Sequence, residues 1–196
     1  MTTYDDTLSL RDARGRYFAD NAFGDDGGYA KKWVKVQLGP VPLAFLNTEA
    51  RVRAVKYHDL HHVVTGYATD ICGEAEIGAW EIASGCAGFV AAWVLNLYAL
   101  TLGVLSGNPG AVWRAFLRGR HTKNLYRDDY GEALLDARLG AVRARLGLQA
   151  EAPAAPVATI GDRVTFALWC ALAFALLLAT SALLLSPLWL AIRALL

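Results

Sequence analysis

Two long stretches of this chain carry no charge, and they limit what it can fold into more than any other feature. No Asp, Glu, Lys or Arg occurs in the 32 positions between Glu81 and Arg114, or in the 29 between Arg163 and Arg193. A bilayer core of about 30 Å needs roughly 20 apolar residues in a helix. Residues 166–186 span 21 positions, all but three of them apolar, with Trp169 and Trp189 near the ends, where interfacial tryptophans belong. Thr180, Ser181 and Ser186 are tolerable there because they bond back to the helix's own carbonyls. Residues 164–192 are therefore expected to form a membrane anchor, with Pro187 kinking or ending its helix. Arg138, Arg143, Arg145 and Arg163 precede the anchor and Arg193 follows it. From that excess, residues 1–163 are expected on the cytoplasmic side.

The first uncharged stretch is different. Gly85, Gly88, Asn96, Tyr98, Thr101 and Gly103 dilute it. Residues 87–105 are long enough to span, yet they read as a buried helix of the domain that lines an apolar groove. A second span is the alternative. Elsewhere, 19 basic residues balance 18 acidic ones, which argues against a nucleic-acid partner. An apolar share of 55% excludes disorder. Cys72, Cys86 and Cys170 are odd in number and contain no C-x-x-C pair, so neither a disulfide framework nor a zinc ribbon is expected. The N-terminus shows no apolar run of a secretory signal. Arginine outnumbers lysine and alanine is abundant, which reads as a bacterial chain; the expected location is the inner membrane.

The pattern is all-α: a single helical domain with a C-terminal transmembrane helix. Residues 1–44 form an N-terminal segment with a short helix over 7–19 and a glycine-rich loop at 24–28. Gly39-Pro40 and Pro42 make 36–47 extended or turning, and no alternating strand pattern of useful length is evident. Residues 45–148 form the helical domain. Asn47 or Thr48 caps a helix running to about Val64, ended by Thr65-Gly66. Further helices are expected over 70–84, 87–105, 111–120 and 132–146, the last basic and amphipathic. Residues 149–163 are an Ala/Pro linker.

Three of the chain's four histidines, His58, His61 and His62, fall within five residues. On a helix, His62 lies about 40° from His58 and Asp59 about 100° away. Two imidazoles and a carboxylate thus share a face, and an i, i+4 histidine pair is the spacing by which a helix grips one metal ion. His61 lies off that centre. On one straight helix Glu74 would be about 18 Å from His62 at about 1.5 Å per residue. The Thr65-Gly66 break lets the chain fold back and bring Glu74 to the pair. The resulting set of two imidazoles and two carboxylates suits zinc, manganese or iron(II) with an open position. A membrane di-iron desaturase needs several histidine boxes, and only His121 remains elsewhere. Asp59 does not stand where H-E-x-x-H places its glutamate. Asp70, Glu76 and Glu81 read as helix-surface charges, with supporting roles at the site as the alternative. Arg118, Arg120, His121 and Lys123 read as a solvated basic face near a membrane, or a headgroup contact.

His58-Asp59-Leu60-His61-His62, eleven further residues and then Glu74 resemble the H-D-x-x-H-x(11)-E signature of the Coq-four family of ubiquinone (coenzyme Q) biosynthesis proteins. Residues 113–148, with Arg-Gly-Arg, Asp128-Asp129 and a basic closing helix, are also similar to that family. The resemblance covers roughly residues 45–148. It implies an all-α fold and a divalent metal, usually zinc, held by His58, Asp59, His62 and Glu74. It also implies removal of the C1 carboxyl from a polyprenylated 4-hydroxybenzoate-type ring at a membrane, beside other ubiquinone-biosynthesis enzymes. On this reading Tyr57, Tyr67 and Asp70 are the candidate proton carriers, and 87–105 is the wall for the isoprenoid tail. The alternatives are a non-catalytic membrane scaffold or isoprenoid-lipid carrier with a structural metal, and a metal-dependent hydrolase or oxygenase acting on another lipid.

Overall fold

A computed structural model describes residues 3–38, 41–148 and 157–195. Among these, eight helices and one two-stranded sheet occur: α1 Leu10–Asp20, β1 Trp33–Leu38, β2 Val41–Leu46, α2 Glu49–Thr65, α3 Ile71–Ser84, α4 Val90–Leu105, α5 Pro109–His121, α6 Glu132–Leu135, α7 Leu139–Leu146 and α8 Ile160–Leu195. The fold is helical, as the sequence pattern predicts.

The strands correct the sequence reading. Trp33 pairs with Leu46 and Leu38 with Val41 in an antiparallel ladder. Val-Lys-Val-Gln-Leu at 34–38 has the period of two that a strand needs. Pro42 is tolerated because each strand of a two-stranded ladder is an edge. The expected Gly39-Pro40 turn lies outside the described residues.

α2 and α3 place the site. The Thr48 side chain accepts from the Arg51 amide and caps α2, satisfying one of the orphan donors at the helix start. Gly66, at φ 79°, ends α2 in the left-handed region, which glycine enters without a Cβ penalty. Arg143 donates to the carbonyls of Val63 and Val64, at 3.0 Å each, and Arg118 to that of Thr65 at 3.2 Å. The last carbonyls of α2 are thus held by cations, the favoured charge at a helix C-terminus. Arg118 is therefore not the solvated charge that the sequence pattern suggests; it also lies over the Tyr67 ring, 5.3 Å from its centroid. Asp70 then caps α3 by accepting from the Gly73 amide at 2.8 Å. A Cβ on Gly73 would lie 2.1 Å from the Ala68 carbonyl oxygen. Only glycine permits this tight return.

α3 runs through the core, with Ile77 and Trp80 fully buried, between α4 and α5. The basic helix expected over 132–146 is two helices. The amide of Leu10 bonds to Ala137 O, and the amides of Leu139 and Gly140 bond to Leu8 O and Asp6 O. The N-terminal segment therefore takes up backbone groups that a continuous helix would use itself. Tyr4, Leu10, Ala13, Tyr17 and Phe18 join the same core as α2 and α3.

α8 contains a 28-residue apolar stretch, Ile160–Pro187, long and apolar enough to cross a membrane. It begins four residues earlier than the expected anchor, and residues 149–156 of the expected linker lie outside the described residues. The helix continues past Pro187. Proline removes the N–H that would bond to Leu183 O, but Ser186 Oγ donates to that carbonyl at 2.8 Å. Thr180 Oγ1 bonds back to Leu176 O at 2.9 Å.

Gly73→Ala is expected to cost about 1–3 kcal/mol by overpacking. Gly15→Ala, in α1 with nothing within 4 Å of an added Cβ, is expected to gain about 0.5–1 kcal/mol. Thermal unfolding in detergent reads both; a Gly73→Ala protein as stable as wild type contradicts the tight-turn account.

Candidate metal centre

His58 and His62 stand one turn apart on α2, and the α2–α3 return brings Glu74, in the first turn of α3, against them. His58 Nε2 lies 3.1 Å from His62 Nε2 and 3.2 Å from Glu74 Oε2. His62 Nε2 lies 3.3 Å from Glu74 Oε1. Among the described residues these three groups form the cluster able to hold a metal ion. An ion with bonds of about 2.0–2.2 Å in tetrahedral geometry has ligand atoms roughly 3.3–3.6 Å apart. The observed separations of 3.1–3.3 Å lie at or just below the short end of that range.

The protonation pattern supports the same role. His62 Nδ1 lies 3.0 Å from Tyr67 O. A carbonyl only accepts, so Nδ1 carries the proton and Nε2 keeps its lone pair. His58 Nδ1 lies 2.9 Å from Glu81 Oε1, and donation to that carboxylate leaves His58 Nε2 free as well. Two imidazole lone pairs facing each other at 3.1 Å repel unless a proton or a cation lies between them. Burial would lower the His58 pKa, but the Glu81 and Glu74 carboxylates outweigh it and hold it well above its ordinary 6.5. Burial would raise Glu74, but its hydrogen bonds with His58 and His62 bring it down to about 2.

Glu81 corrects the sequence reading. It is fully buried, not a surface charge. Oε1 accepts from His58 and, at 2.7 Å, from His61 Nδ1. Oε2 accepts from Asn96 at 2.6 Å and from the Tyr126 hydroxyl at 2.7 Å. His61 is fixed too: its Nε2 accepts from the Leu125 amide at 3.0 Å, so it is neutral, and burial lowers its pKa. Glu81 follows Glu74 by seven residues, two helical turns, and this same-face spacing is a usable sequence signal. Asn96, a lone amide inside an apolar helix, is another.

Asp59 sits beside the three converging groups without being one of them. It is buried, which raises its pKa. It accepts from the Tyr29 hydroxyl at 2.5 Å and from the Tyr17 hydroxyl at 3.5 Å. The Tyr17 ring stacks on His62, with centroids 5.5 Å apart. Nothing local in the sequence announces Tyr17 or Tyr29, which reach Asp59 from 42 and 30 residues away.

A polar cleft of about 210 Å³ reaches His62 and is lined also by Tyr17, Asn21, Tyr67, Thr69 and Asp70. No α4 residue lines it, so the tail wall expected at 87–105 is not the wall of this cleft. The proton carriers named from sequence are otherwise engaged: Tyr57 donates to Asp128 O at 2.7 Å, the Tyr67 ring lies under the Arg118 guanidinium, and Asp70 caps α3. Glu76 is partly buried on α3 and takes no part in the cluster. Arg120 bonds to Asp162 at 3.2 Å.

Two outcomes follow from this geometry. Glu81→Gln is expected to weaken metal binding about 10–100-fold, as loss of a ligand's outer partner does, and Glu81→Ala to cost about 3–5 kcal/mol by stranding buried partners. Metal titration and unfolding check both; unchanged affinity in Glu81→Gln contradicts the role given to it. In the metal-free chain, Glu74 adds stability that is complete above pH 4.5 and lost as pH falls toward 2. His58 adds stability that is complete below pH 6.5 and lost as pH rises through its higher folded value. The fall of the metal-free Tm above pH 6.5 should therefore be shallower in His58→Asn than in wild type; an unchanged fall contradicts the assignment. No protein-family model matches the chain, and neither a curated protein nor a solved structure is significantly similar to it.

Proposed function

We propose that the chain is a membrane-anchored, metal-dependent carboxy-lyase of the bacterial inner membrane. On this reading it removes the C1 carboxyl from a polyprenylated 4-hydroxybenzoate-type ring in ubiquinone synthesis, with the domain on the cytoplasmic side. The observation that carries the reading is the convergence of two imidazole lone pairs and one carboxylate, with both outward N–H groups already tied. Three protein ligands with an open position are the pattern of a catalytic rather than a structural zinc site. The resemblance of the H-D-x-x-H-x(11)-E spacing to the Coq-four family suggests the substrate class, and the apolar helix α8 supports the membrane location.

Zinc suits the two-histidine, one-carboxylate set, and when bound it would supply Lewis acidity and a template for the substrate carboxylate. The remaining chemistry falls to the protein. Ring carbon C1 accepts a proton while the para hydroxyl gives one up, which yields a dienone. The bond from C1 to the carboxyl carbon then breaks, CO2 leaves, and its bonding pair stays in the ring. Aromaticity returns and the para oxygen regains its proton, so one proton is consumed overall. Tyr17 lines the cleft, stacks on His62 and hydrogen-bonds to Asp59; in this reading it delivers the proton to C1 and Asp59 reloads it. Burial raises the pKa of Tyr17 and keeps its hydroxyl protonated at neutral pH.

Full-length protein in phospholipid vesicles, loaded with zinc and given a polyprenylated 4-hydroxybenzoate, is expected to release CO2 and leave a ring without its carboxyl. His58→Ala with His62→Ala should abolish both metal content and turnover. Tyr17→Phe should keep the metal and lose about 10²–10⁴-fold in turnover. Metal bound stoichiometrically with the carboxyl retained would reject the lyase in favour of a lipid carrier.

A further inference from the structure

We infer that the outer face of α4 lies in the near leaflet of the membrane, beside α8, so that the domain is seated in lipid rather than tethered above it. This rests on reading α8 as the anchor. The residues of α4 fall into three sectors. Ala92, Asn96, Leu100 and Gly103 are buried in the domain. Trp93 stacks on Trp169 of α8, with centroids 5.1 Å apart and planes 12° apart. The third sector carries Val90, Val94, Leu95, Leu102 and Leu105, which are 73%, 38%, 39%, 38% and 61% exposed.

On helix geometry these five residues fall within an arc of about 140° and extend over about 22 Å; the half-buried Tyr98 and the buried Thr101 share that arc. No charge interrupts them, because the uncharged stretch covers all of α4. Soluble domains rarely leave so many large apolar side chains on one face to water. The face does not stop at α4. Across the stacked tryptophans it passes to Leu168 and Leu172 of α8, 66% and 49% exposed, which belong to the apolar stretch long enough to cross a membrane. That continuity with a spanning helix identifies the cover as acyl chains.

Length and charge agree. About 22 Å is short of the roughly 30 Å hydrocarbon core, so α4 enters one leaflet and does not span. Cations flank the starts of both helices. The Arg53 guanidinium lies over Phe89, 5.7 Å from its centroid, just before α4 begins. Arg163 is exposed on the first turn of α8. Both suit anionic headgroups. On its inner side, α4 presents Asn96 to Glu81, whose other oxygen holds His58. One helix thus separates the leaflet from the metal centre.

The wild-type full chain is placed in phosphatidylethanolamine/phosphatidylglycerol vesicles containing a phospholipid with a diazirine in its acyl chain. After irradiation, adducts are mapped by mass spectrometry. Adducts are expected on Val94, Leu95 and Leu102 at a level comparable with Leu178 and Leu183 of α8, with α1 at background. Adducts on α8 and none on α4 overturn the seat and leave the anchor standing. Adducts on neither helix overturn both.

Discussion

A single buried carboxylate organises this protein. Glu81 has no contact with water, and its two oxygens accept from His58, His61, Asn96 and Tyr126. Taking a carboxylate out of water costs several kcal/mol unless its lone pairs are satisfied. Four donors from three other segments of chain satisfy them here, and each segment is thereby fixed relative to the others. α2 contributes the two histidines, α4 the amide, and the loop after α5 the tyrosine. The same bonds leave His58 with only one orientation for its free nitrogen. Folding and ligand placement are therefore one constraint.

The consequences spread outward from that point. His58 held in one tautomer meets His62, whose own tautomer is set by the Tyr67 carbonyl. The Gly73 turn delivers Glu74 to both. Arg143 and Arg118 hold the end of α2, and so the register of its histidines. On the far side Asn96 belongs to a helix whose opposite face is uncharged and mostly apolar, and which is joined to α8 through stacked tryptophans. The charged interior and the apolar exterior are one helix apart.

Much of this is legible in the amino-acid sequence. The Asn47-Thr48 cap signal, the Gly66 stop and the long apolar stretch are local signals with local causes, and they mark α2 and α8 in the sequence; Asp70, read there as a surface charge, is instead the cap of α3. The His58, His62 and Glu74 convergence is legible as well, because i, i+4 spacing and a glycine break imply a face and a return. Glu81 reads wrongly from sequence because an acid on a helix is usually solvated; only the donors from α4 and the loop near Tyr126, distant in sequence, reveal it as buried. The split of α6 from α7 depends on Asp6, Leu8 and Leu10, more than a hundred residues away, which no window along the chain can see. Pro42 hides the β1–β2 pairing, because a proline argues against a ladder yet is harmless on an edge. The spacing of Asp59 suggests a ligand, while its tyrosine partners come from an N-terminal segment with no recognisable motif.

The central claim is that His58, His62 and Glu74 bind one ion through two imidazole nitrogens and a carboxylate. X-ray absorption on the zinc-loaded full-length protein tests it most directly. The account predicts one bound ion with a nitrogen/oxygen shell at about 2.0–2.1 Å and the outer-shell scattering of two imidazole rings, lost in His58→Ala with His62→Ala. A spectrum without imidazole scattering, or one unchanged in the double variant, would contradict it.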